Sequence, residues 1–196
     1  MTRQIEFGSQ LAAAYRANHD RIAALVRPLD PDRLLGHPVP GRWSVGEVLE
    51  HLTLMDAIFL TALEPHLRTA RADAAAGARE WKPTFVGKLI AGPLQRPKPL
   101  KSPKVAVPRT PRAGVREAFL AGDTRFAQLL DETTGLDWNR VRLRPPVMPW
   151  FPLKLNLGDV FEIHRVHVAR HLRQIERAVA DLGGARAEQL PSSAPR

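Results

Sequence analysis

The feature that most restricts the fold is a helical apolar period that returns in four stretches, with no credible strand between them. The longest, Asn156 to Gly184, reads as one helix. Asn156 with Asp159 three residues later supplies a start, and Gly183 and Gly184 a left-handed stop. A first helix is expected from about Gln4 to Pro28, its stripe marked by Leu11, Tyr15, Ile22, Leu25 and Val26. A second begins at Ser44, which with Glu47 forms a capping box, and buries Val45, Val48, Leu49, Leu52, Met55, Phe59 and Leu63. A third is expected to start at Thr110 and Pro111, as N-cap and first helical residue, and to run to about Thr134. Four helices joined by long crossovers predict an all-α four-helix bundle. One domain is expected over residues 1–184, followed by a disordered tail, 185–196.

The connections are rich in breakers. Leu29 to Trp43 holds Pro31, Pro38, Pro40 and Gly41, and Gly135 to Leu155 carries four prolines around Trp150. Trp81 to Thr110 is longer and strongly basic, with Thr84 to Ala91 as a short apolar helix inside it. A connection of that length is a lid, an interface element or a crossover wrapping the bundle.

Composition narrows the chemistry. There is no cysteine, which removes disulfides, thiolate metal sites and a cysteine nucleophile and suits a reducing cytoplasm. The first residues lack a signal-peptide pattern, and no apolar run is long enough for a membrane span. A net charge of +9 invites a nucleic-acid partner. Arginines, however, are spread over every segment, aromatics are sparse and no zinc-finger or RRM signature is present, so nucleic acid is not the expected partner.

The histidines carry the remaining signal. His167 and His171 stand four apart on the last helix, on one face, close enough to share a metal ion; His164 and His167, three apart, offer a competing pair. His51 lies on the flank of the second helix and, taken alone, reads as a hydrogen-bonded core histidine. Beside His167 and His171 it would give three nitrogens on two helices with a fourth coordination position open. Nitrogen–nitrogen distances of roughly 3–4 Å would then follow from metal–nitrogen bonds near 2.1 Å. His19 in the first helix reads as an edge histidine, and Glu47 as a cap before an acid–base group. The Glu-x-x-His pairs of di-iron bundles and the HExxH of metalloproteases are absent.

Two blocks, GRWSVGEVLEHLTLMD (Gly41 to Asp56) and NLGDVFEIHRVHVARHLRQIERA (Asn156 to Ala178), resemble the DinB-like (YfiT-like) superfamily. KPLKSPKVAVP, Lys98 to Pro108, is similar to the proline-rich connector of one branch. The resemblance spans about residues 5 to 183. It implies a bundle with an unusual connection order, a divalent metal on one histidine of helix two and two of helix four, and a homodimer. Carried over, the ligands are His51, His167 and His171; His164 has no counterpart. Zinc is the expected ion, with nickel, iron or manganese as alternatives. Some members transfer low-molecular-weight thiols such as mycothiol, bacillithiol or glutathione to electrophiles, and others are known only as metal-dependent hydrolases. A small-molecule enzyme of thiol S-transferase or hydrolase type is therefore expected, the alternative being a non-catalytic metal- or ligand-binding stress protein.

Overall fold

The computed structural model describes residues 2–108, 110–122 and 124–188. In chain order the helices are α1 (Gln4–Val26), α2 (Pro31–Leu35), α3 (Val45–Thr69), α4 (Phe85–Leu94), α5 (Val115–Gly122), α6 (Thr124–Glu132) and α7 (Leu157–Glu188). The all-α expectation holds. α7 packs against both α1 and α3, α3 also meets α5, and α1 meets α6, so α1, α7, α3 and the α5–α6 pair close a ring around the core.

The stripes read from the sequence are the buried faces. Leu11, Ile22 and Val26 of α1 and Val45, Val48, Leu49, Leu52 and Leu63 of α3 are fully removed from solvent. Each aliphatic side chain so buried contributes about 1.5–3 kcal/mol. Helix starts are fixed locally. Ser44 Oγ accepts from the Glu47 N–H at 3.1 Å while Glu47 Oε2 accepts from the Ser44 N–H at 2.7 Å. Asn156 and Asp159 reciprocate in the same way at the start of α7, at 2.8 and 2.9 Å.

Several expectations need correction. Thr110 and Pro111 do not start the third helix; a turn through Gly114, at φ +71°, comes first, and α5 opens at Val115. Asp123, within the expected third helix, lies outside the described residues. Gly183 and Gly184 do not stop α7, which continues to Glu188; Gly183 keeps a negative φ, because glycine permits a left-handed cap without requiring one. The expected tail therefore loses residues 185–188 to the helix, and residues 189–196 lie outside the described region. Strands do occur: β1 (Arg142–Leu143) pairs antiparallel with β2 (Leu155–Asn156). This ladder buries Leu143 against Leu155 and is too short to leave an alternating pattern.

The long connection 81–110 is pinned along α7. Thr84 caps α4, as its Oγ accepts from the Gly87 N–H at 3.0 Å, and the same hydroxyl donates to Asp159 Oδ2 at 2.6 Å. A Cβ on Gly87 would fall 2.2 Å from Asp159 Oδ1, so only glycine lets α4 lie this close. Further on, the Arg170 guanidinium donates to the carbonyls of Arg96 and Lys98, both at 2.7 Å.

Candidate metal centre

Three histidines converge in the core. His51 comes from α3, His167 and His171 from α7, and they are only 1%, 8% and 6% exposed. One ring nitrogen from each lies within 4.8 Å of the others, and His51 Nε2 is 3.1 Å from His167 Nε2. The latter distance falls in the range two nitrogens take around one ion with bonds near ~2.1 Å. The group could hold a metal ion.

Neighbours orient two of the rings. His51 Nδ1 donates to the carbonyl of Ala106 at 2.7 Å, and a carbonyl can only accept, so the other nitrogen of the neutral ring is a bare lone pair. His171 Nδ1 donates to Gln174 Oε1 at 3.0 Å, with the same result. Anchoring one ring nitrogen and freeing the other is the arrangement found around metal-binding histidines. Burial lowers the pKa of His51; burial, then the neighbouring His171 and His51, lowers that of His167 well below the ordinary value. Burial and the charge of His51 bring His171 down to about 3. At neutral pH all three are neutral imidazoles, the state that ligates.

The histidines open onto a cavity of about 300 Å³ with mostly apolar walls, among them Met55, Phe59, Ile90, Phe126 and Ile163. Arg170 and Lys101 supply positive charge to its lining, and Asp56 is its only carboxylate among the described residues. His164 does not join the group. Its ring stacks on Phe126 with centroids 3.8 Å apart, and its Nε2 is 3.3 Å from Asp56 Oδ1. His19 is half-buried and outside the group. Glu47 serves as the cap and does not line the cavity.

Sequence reasoning missed four contributors. Gln174 was within reach, since it stands three after His171 on one helix face. Asp56 was not, because five residues from His51 is about 140° around a helix. Ala106 acts through its carbonyl, which no side-chain pattern reveals. Arg170 was one of many arginines.

None of the described helices is long and apolar enough to cross a membrane. No curated protein and no solved structure matches the chain. A family model described as the DinB superfamily matches residues 14–175.

Proposed function

Because the chain belongs to the DinB superfamily, we propose that His51, His167 and His171 hold a divalent ion and that the protein is a metal-dependent enzyme acting on a small molecule. The observation that carries this reading is the anchoring of His51 and His171 by Ala106 and Gln174, which leaves bare nitrogens facing a cavity. An ion held there would supply Lewis acidity, the chemistry that lowers the pKa of a water or thiol. The chain does the rest. The imidazoles stay neutral, the apolar walls exclude water, and Arg170 with Lys101 offers positive charge to an anionic co-substrate. Thiol S-transfer with a low-molecular-weight thiol, or hydrolysis, are the reactions proposed; zinc is the first choice of ion, and a cytoplasmic homodimer the expected form.

Elemental analysis of protein purified without a histidine tag tests the ion. About one equivalent is expected, and none in the variant lacking all three histidines; equal metal in both would reject the site. Cobalt-substituted protein then separates the chemistries. A new sulfur-to-metal absorption on adding mycothiol, bacillithiol or glutathione supports thiol transfer, and a spectrum unmoved by all three leaves hydrolysis or ligand binding.

A further inference from the structure

A second polar layer faces the same cavity. His51 meets His167 while Asp56, five residues later, meets His164, three residues earlier, so α3 and α7 run antiparallel and the Asp56–His164 pair lies roughly 7 Å along the helices from the three histidines. Asp56 is 6% exposed, and no hydrogen bond to its carboxylate is found among the described residues. Both ring nitrogens of His164 are buried and lack a hydrogen-bond partner, although Nε2 stands 3.3 Å from the carboxylate. A carboxylate that faces a cavity and takes no hydrogen bond from the chain keeps its acceptor capacity for a donor that enters. The cavity it faces is walled mainly by apolar side chains such as Met55, Phe59, Phe126 and Ile163, and although Lys101, Ser102 and Arg170 also line it, none of them hydrogen-bonds the carboxylate among the described residues.

We propose that Asp56, positioned by His164, is the recognition point for a neutral donor group, a hydroxyl or amide N–H, on an apolar-bodied substrate whose other end lies against the three histidines. A neutral donor is favoured over an ammonium because Arg170 and Lys101 already make the cavity positive. The spacing of the two layers fits a body about the size of a benzene ring. This rests on the cavity being the substrate site, but not on the ion.

The test uses fluorine NMR on the full chain, after chelator treatment, with 4-fluorobenzyl alcohol and its methyl ether as probes. They share a body and an acceptor oxygen, and only the alcohol donates. The alcohol is expected to bind about tenfold tighter, the worth of one hydrogen bond to a charged acceptor. That preference should shrink to within about threefold in Asp56→Asn, which keeps the shape, and vanish in Asp56→Leu, with ether binding retained in both. In His164→Gln it should fall while binding of the ether is unchanged. Equal binding of the two probes, no binding of either, or a preference that survives both Asp56 variants overturns the proposal. Read without metal, this outcome is independent of cobalt uptake, which tests the ion.

Discussion

The two polar layers of the cavity are built from the same helices and are almost equally buried, yet they are finished differently. At the three histidines the chain binds the outer nitrogens of His51 and His171 and turns the inner one of His51 onto His167 Nε2, at 3.1 Å. At Asp56 and His164 the two side chains approach each other at 3.3 Å, and both ring nitrogens of His164 are left without a hydrogen bond. Burial alone therefore does not mark a site. What distinguishes the first layer is that its neighbours have fixed which atom is offered, whereas the second leaves that choice to whatever enters.

The largest expected effect concerns pH. A histidine whose folded pKa lies below its unfolded value binds a proton on unfolding, so stability falls as pH drops below about 6.5, by about 1.4 kcal/mol per pH unit for each such group. For His171 the fall continues to about pH 3. Chelator-treated protein should lose melting temperature steadily from pH 7 to pH 5, and a variant with glutamine at positions 51, 167 and 171 should lose much less. Parallel curves would mean that the first layer is not held neutral. Next, His167→Ala should weaken ion binding by more than about 100-fold, beyond what losing an outer partner does, while His164→Ala leaves it within a fewfold. Equal losses by elemental analysis would erase the distinction between the layers.

Thermal melts of the double variant Asp56→Leu, His164→Phe sharpen the contrast from the other side. Replacing two buried polar groups that lack hydrogen bonds by apolar ones should stabilise the protein by about 1–4 kcal/mol. A melting temperature below that of the native chain would show that the pair supports the fold. The smallest effect is Gln174→Ala, which frees the outer nitrogen of His171 and should cost about tenfold in ion affinity, measured by competition with a chelator. No change would remove Gln174 from the site.

Much of this was legible in local chemistry. The serine box at Ser44 and the Asn156–Asp159 pair located two helix starts, and once those were placed the periods of α3 and α7 brought His51, His167 and His171 to inward faces. What stayed hidden depended on distant chain. The late start of α5 follows a glycine turn at Gly114, and the β1–β2 ladder exists because Leu143 and Leu155 find each other across a loop. Gly183 and Gly184 show the opposite failure, a strong local signal that the helix passes through. Asp56 needed both the helix register and the position of His164 before it could be noticed.

The carbonyl of Ala106 has a further consequence. The ring of His51 is oriented by main chain rather than by a side chain, so what the site asks of position 106 is a backbone placement rather than a functional group. Residue 106 itself is fully enclosed, which limits it to small side chains. Any substitution there that keeps the backbone path should therefore leave the orientation of His51 intact, whatever it does to the surface of the connection.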